Sequence, residues 1–210
     1  MKEFYKTRRW NSSGLLWRIL RRCTGIYHKW FCQRNYIFKH ESPFPPEKRS
    51  DCIFKCYNSI MDLPESIQAD ISSEGAPHRL ERDIRELREN ALLWVALVKG
   101  RVAATVFTRR GKFFRNWFLP LQPDDVVVFR LRTHPDYRGR GLAPSLIRHA
   151  MHETVQSESA HAYIDCRTYN KASAACIRKA GFHCIAKMKT ISRDWALYGR
   201  DVSKRSRHNS

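Results

Sequence analysis

The chain has 210 residues and a mass of 24.8 kDa, enough for one sizeable domain with an appendage, and its 42% hydrophobic and 28% charged composition supports a packed core and excludes wholesale disorder. Lys and Arg number 39 against 20 Asp and Glu, a formal +19 that predicts attraction to anions such as phosphate cofactors, nucleic acid or acidic lipid. No stretch approaches the length of uncharged apolar sequence that a membrane-spanning helix needs, and the first residues lack the apolar core and small-residue cleavage site of a secretory signal. Seven cysteines, an odd number without a CxxC pair, argue against a disulfide scaffold or a zinc site and for a reducing cytosol.

Most of the positive excess sits at the two ends of the chain. Residues 1–46 read as a basic helical extension, 47–200 as a folded domain, and 201–210 as a polar basic tail. Ser12 and Ser13 are candidate caps for a helix beginning near Leu15. Leu16, Ile19, Leu20, Cys23, Ile26, Tyr27, Trp30 and Phe31 recur at three- and four-residue spacing and form an apolar stripe, with Arg18, Arg21, Arg22 and Lys29 largely elsewhere. Two readings stay open. The stripe packs on its own domain or on a second subunit in a homodimer, or residues 12–37 lie in the headgroup layer of an anionic membrane. Pro43, Pro45 and Pro46 mark the boundary that follows, because successive prolines cannot continue a helix.

Beyond the boundary, strands and helices alternate. Cys52–Tyr57 reads as a strand, Asp62–Ser72 and His78–Asn90 as helices, and Leu92–Val98 with Val102–Thr108 as a hairpin turning at Lys99-Gly100. A long basic and aromatic connection with Phe113, Phe114, Trp117 and Phe118 leads to the β-branched strand Val126–Thr133; it is expected either to wall an acceptor site or to dock on the first helix. Pro144–Gln156 reads as a helix with Pro144 as its first residue, Ala160–Cys166 as a strand, Lys171–Lys179 as a helix and Phe182–Met188 as a strand, with a last strand near Ile191–Tyr198. This order predicts a single three-layer mixed α/β domain. His149 and His152 match no zinc-helix pattern and are expected on an exposed helix face; Cys166 and Cys176 are expected in the core.

The most informative segment is VVVFRLRTHPDYRGRGLAPSLI. A strand ends at His134-Pro135, and Arg138-Gly139-Arg140-Gly141-Leu142-Ala143 runs straight into a helix. Glycines permit a compact loop and close approach to the backbone, and a helix start leaves amides without internal partners in a favourable dipole for an anion. Ser145 adds a hydroxyl. The string is neither a nucleotide-triphosphate loop nor a dinucleotide fingerprint, which needs a third glycine.

HPDYRGRGLA, followed by a helix, a strand and then N-x-x-S-x-x-x-x-x-K-x-G-F (Asn170, Ser173, Lys179, Gly181, Phe182), closely resembles the GCN5-related N-acetyltransferase superfamily over residues 92–189. The resemblance implies a mixed sheet of six or seven strands with two central strands splayed apart, acetyl-coenzyme A in the wedge, and no metal. Backbone groups of Leu131, Arg132 and Thr133 would bind the pantetheine arm. Amides from Arg138 through Gly139, Arg140, Gly141 and Leu142 to Ala143 would hold the diphosphate, with Ser145 nearby; Asn170 would meet the pantetheine or acetyl end and Ser173 the phosphate side. The acetyl group would pass directly to a neutral amine. The tyrosine that many relatives use as general acid is replaced by Ile177, which leaves Tyr169 or water as the acid and Asp165 or His134 as the base. A fainter likeness to members associated with surface-polysaccharide synthesis implies an amino-sugar acceptor handled at the cytoplasmic membrane face. Acetylation of a protein lysine or N-terminal amine, and a non-catalytic acyl-coenzyme A-binding role, are the alternatives; no nucleic-acid-reading motif is present.

Overall fold

The structure, a computed structural model, describes residues 34–41, 43–47, 49–73, 78–114, 117–155 and 159–189. The expected helix over Leu15–Phe31, the strand near Ile191–Tyr198 and the tail 201–210 lie outside the described residues, as does most of the 12–37 segment.

Seven strands, β1 (Arg34–Glu41), β2 (Ile53–Tyr57), β3 (Leu92–Val98), β4 (Arg101–Arg110), β5 (Val126–Thr133), β6 (His161–Arg167) and β7 (His183–Lys189), form one mixed sheet in the order β2-β3-β4-β5-β6-β1-β7. The helices are α1 (Glu65–Ser73), α2 (His78–Arg88), α3 (Leu142–Thr154) and α4 (Lys171–Lys179). Among the described residues only β5 and β6 pair in parallel, and the other neighbours are antiparallel. Successive side chains on a strand alternate between faces, so β5 splits its run of valines. Val126 and Val128 join Leu146, Ile147, Ala150, Ala174 and Ile177 under α3 and α4, whereas Val127 and Phe129 join Ile67, Ile71 and Leu87 under α1 and α2. The expected three layers are present. Among the described residues no helix is long and apolar enough to cross a membrane.

The boundary expected at residue 46 is displaced. Arg34–Glu41 falls within the expected N-terminal helical extension, yet it forms β1, paired on both sides with β6 and β7. Ile37 and Phe38 have no exposed surface. This strand also accounts for the glycine of the KxGF motif. Gly181 has φ 97, and an added Cβ would lie 2.7 Å from His40 Nε2, which leaves room for hydrogen alone. The His40 ring in turn stacks on Phe44 and meets Phe182 edge-on.

The helix expected to begin at Pro144 begins at Leu142, with Gly141 as its N-cap and Pro144 third. Proline is tolerated there because the first turn's N–H groups have no intrahelical acceptors. His149 and His152 are half-buried rather than exposed. His149 stacks on Phe54 at 4.6 Å between ring centres, and His152 Nδ1 lies 2.8 Å from the Phe44 carbonyl, because the segment after β1 covers that face of α3. Cys166 is buried, and Cys176 is half-buried against the same core. The long connection after β4 folds back on the sheet, with Phe114 and Trp117 packed against the core beneath α1 and α2 and Trp117 5.5 Å from the Tyr163 ring.

Candidate active site

The site begins where β5 and β6 part. Their parallel pairing runs only from Val126↔Ala162 to Val128↔Ile164. Two residues later Arg130 adopts φ 54, and the pairing of β5 with β4 shifts between Thr105 and Phe107. A non-glycine residue in the left-handed region is costly and persists only when its surroundings hold it there. Here the holder is Glu86 on α2, fully buried, which takes the Arg130 guanidinium at 2.5 Å and that of Arg109 at 2.9 Å. One turn earlier on α2, Asp83 binds Arg132, whose Nε also reaches Thr105 Oγ1 at 3.2 Å. Burial pushes the Asp83 carboxyl up from its ordinary range, with Arg132 opposing, and its second oxygen has no hydrogen-bond partner among the described residues. The bulge bends β5 away, and the wedge opens beyond it.

A cleft of about 860 Å³ occupies this wedge, within the usual range for ligand sites. Leu131, Arg132, Thr133 and His134 line it from β5 and the turn that follows; Arg138, Gly139, Gly141, Leu142 and Ala143 line it from the loop and the start of α3; Asn170, Ser173, Cys176 and Lys179 line it from α4. Gly139 and Gly141 have φ 77 and 74, so the loop is built from two left-handed turns that β-carbons would strain. Arg79, Arg132, Arg138 and Lys179 bring positive charge, and no carboxylate is among the lining residues described. That charge balance and the amides at the α3 N-terminus fit a polyanionic ligand such as a diphosphate.

Asn170 has a second task. Its Oδ1 accepts the Ser173 N–H at 3.0 Å and caps α4, so the N-x-x-S spacing is that of a cap and the third helical residue as well as that of a ligand pair. Arg140 and Ser145 stand behind the loop rather than in the lining. The Arg140 guanidinium lies over the Tyr137 ring at 5.2 Å, and Ser145 is 3% exposed.

The candidate acid and base residues separate. His134 lines the cleft; its Nδ1 accepts the Asp136 N–H at 3.4 Å, which leaves the proton of the neutral ring on Nε2. Asp165 lies outside the lining. Ala162, Ile164 and Cys166 take the α3/α4 side of β6, and Asp165 falls on the other, where its carboxylate accepts the amide of Asn35 from β1. Tyr169 is 55% exposed in the turn before α4 and is also outside the lining. Ile177 is fully buried in the core, so hydrocarbon fills the place that the resemblance reserves for a tyrosine. Sequence reasoning missed Tyr137 and Arg79, which line the cleft. Tyr137 had a visible signal, an aromatic hydroxyl directly before the glycine loop, whereas Arg79 had none.

The comparisons agree with this geometry. The sequence model of the acetyltransferase (GNAT) family matches residues 57–182, from the end of β2 to the KxGF motif. Three solved structures have a TM-score of 0.53 to this chain. A GNAT-family protein from Novosphingobium aromaticivorans is 20% identical over 74% of this chain and 61% of its own. A GNAT acetyltransferase from Colwellia psychrerythraea is 13% identical over 73% and 53%. A tandem GNAT protein of the clavulanic acid biosynthesis pathway is 14% identical over 75% and 52%. The chain thus spans from about half to three fifths of the solved chains it matches, and at these identities the likeness is one of fold. No curated protein matches the sequence significantly. With the family model covering more than half of its residues and the splayed strands, glycine loop and capped second motif in place, the chain belongs to the acetyltransferase (GNAT) family.

Proposed function

We propose that the protein transfers an acetyl group from acetyl-coenzyme A directly to a primary amine. One observation carries the reading: the glycine loop, with φ 77 and 74, delivers the start of α3 into a cleft that has four cationic lining residues and no described carboxylate. Backbone amides of residues 139–143 hold the donor's diphosphate, since the Arg138 N–H, expected among them, is given to the Pro135 carbonyl at 3.2 Å, and the splayed end of β5 takes the pantetheine arm. Asn170 offers its side-chain amide N–H to the arm while Oδ1 stays on the cap.

The amine nitrogen bonds to the acyl carbon as the carbon–sulfur bond breaks. One ammonium proton leaves to water, because the described lining holds no carboxylate to take it. The departing thiolate accepts a hydrogen bond from His134 Nε2–H and takes its proton from solvent, while the nitrogen sheds its second proton to water as the amide forms. The net reaction releases one proton. Cys176, which also lines the cleft, does not intervene as a nucleophile: burial pushes its thiol up to about 11, so little thiolate exists at neutral pH.

A thiol-release assay with acetyl-coenzyme A over UDP-amino sugars, polyamines, aminoglycosides and peptides tests the reading and names the acceptor. The amino sugar stands first in that panel on the sub-family resemblance. Release with peptides alone would replace it by a protein amine, and coenzyme A binding without consumption of any amine would leave a binding protein. His134→Gln is expected to lower kcat about a hundredfold, and an equal loss in Tyr137→Phe with none in His134→Gln would move the donor to Tyr137. For the proposed contact with an anionic membrane at the cytoplasmic face, flotation with liposomes should compare the full chain with one lacking residues 1–33, since removal of 1–46 would delete β1.

A further inference from the structure

The segment between β1 and β2 crosses the back of the phosphate loop. Glu47 holds Arg148 of α3 with two bonds, 2.8 and 2.9 Å, and Arg148 also donates to Ser145 Oγ at 3.2 Å and to the Lys179 carbonyl at 2.9 Å. Two residues beyond Glu47, Arg49 is gripped by Asp51 through Nε and Nη2 at 2.7 and 2.6 Å. The outer edge of the same guanidinium donates to the Arg140 carbonyl and to Ser145 Oγ, both at 3.3 Å. It passes so close to the loop that a Cβ on Gly141 would lie 3.4 Å from its Nη1. Phe44, buried, anchors the other end of the segment beside His40 and His152.

The glycine loop therefore has a back as well as a mouth. Residues with left-handed φ at 139 and 141 can rotate away unless something fixes the peptide between them. The Arg140 carbonyl belongs to that peptide, and Arg49 is the side chain that holds it. Neither Arg49 nor Ser145 lines the cleft, so the hydroxyl that sequence reasoning gave to the cofactor is used from behind. We propose that this segment is a strap that pre-forms the loop for the donor's diphosphate, with Arg49 as its positioning residue. The inference rests on the acyl-transfer reading above and adds a residue outside the family motifs.

Donor truncation tests it. The full-length protein and Arg49→Ala are compared with acetyl-coenzyme A and with S-acetylpantetheine, which lacks the diphosphate. Arg49→Ala is expected to raise KM for acetyl-coenzyme A about tenfold, with kcat at saturation moving by less than about twofold and KM for S-acetylpantetheine unchanged. Arg49→Lys keeps the charge but not the two-edged fork and should recover little. Calorimetry with coenzyme A and pantetheine gives the same contrast without turnover, and Asp51→Asn, which loosens the grip on Arg49 from outside, should show a smaller shift in the same direction. Equal loss with both donors, or full rescue by lysine, overturns the strap. Unchanged coenzyme A affinity in Arg49→Ala overturns it too, while no heat from the wild type with coenzyme A overturns the acyl-transfer reading itself.

Discussion

The glycine loop and the ion-paired face of α2 lie on either side of the same strand end and are made in opposite ways. The loop is contiguous: residues 138–143 carry their own geometry in two glycines and a helix start. The α2 face is assembled from afar. Glu86 draws in Arg109 of β4 and Arg130 of β5, and Asp83 draws in Arg132, so carboxylates on one helix shape a strand more than forty residues on. A ligand site written in one stretch can be altered piece by piece, whereas a site shaped by buried charge fails as a unit, because removal of one partner strands the others in low dielectric.

Substitutions that separate the two regions sharpen this contrast. The largest effect is expected from Glu86→Ala, which leaves two guanidiniums without their shared carboxylate and should cost about 3–5 kcal/mol in urea unfolding; a loss below about 1 kcal/mol would show that the bulge at Arg130 does not depend on it. Next comes Gly139→Ala. Nothing lies within 4 Å of the added Cβ, so the penalty is backbone strain alone, about 1–2 kcal/mol. The free loop relaxes out of the left-handed turn, so the strain is met on binding and should appear as a KM for acetyl-coenzyme A raised about tenfold, with the unfolding midpoint nearly intact; a pure stability loss would erase the distinction between the regions.

A smaller effect belongs to Asp83. Its folded-state pKa is raised by burial, so the folded chain takes up a proton more readily than the unfolded one. Stability should therefore fall as pH rises from the ordinary carboxylate value near ~4 through the raised value, and then level off. Across that window the wild type should gain stability relative to Asp83→Asn as pH falls; a difference that does not change with pH would remove Asp83 from the account. The smallest expectation is no effect at all: Cys176→Ala should retain kcat, because the thiol is not a nucleophile, and loss of turnover would point to an acyl-enzyme.

Much of the domain was legible because local pattern and final structure coincide. Leu92–Val98, Val126–Thr133 and Lys171–Lys179 were bounded correctly from periodicity and turn residues alone. The loop was legible for the same reason, since glycines before a helix carry their meaning in place. What failed depends on partners distant in sequence. Arg34–Glu41 has no alternating pattern clear enough to set it apart from the stripe before it, and only β6 and β7 make it a strand. Asp165 was a reasonable base by position, but which side of β6 it occupies is fixed by the two cores. Nothing near Arg49 in sequence points to a carbonyl 91 residues away.

The place of β1 also bears on how the protein folds during translation. Of the described strands it leaves the ribosome first, yet its neighbours are β6 and β7, and Asn35 must wait 130 residues for Asp165. Until β6 emerges, Ile37 and Phe38 have no sheet to enter, and such non-local pairings are slow and exposed to aggregation. A nascent chain stalled after α3 would already hold the complete phosphate loop and still lack the strand that closes the sheet beside it. If the proposed acyl transfer holds, competence for it should therefore arrive late, once β6 and β7 have joined β1.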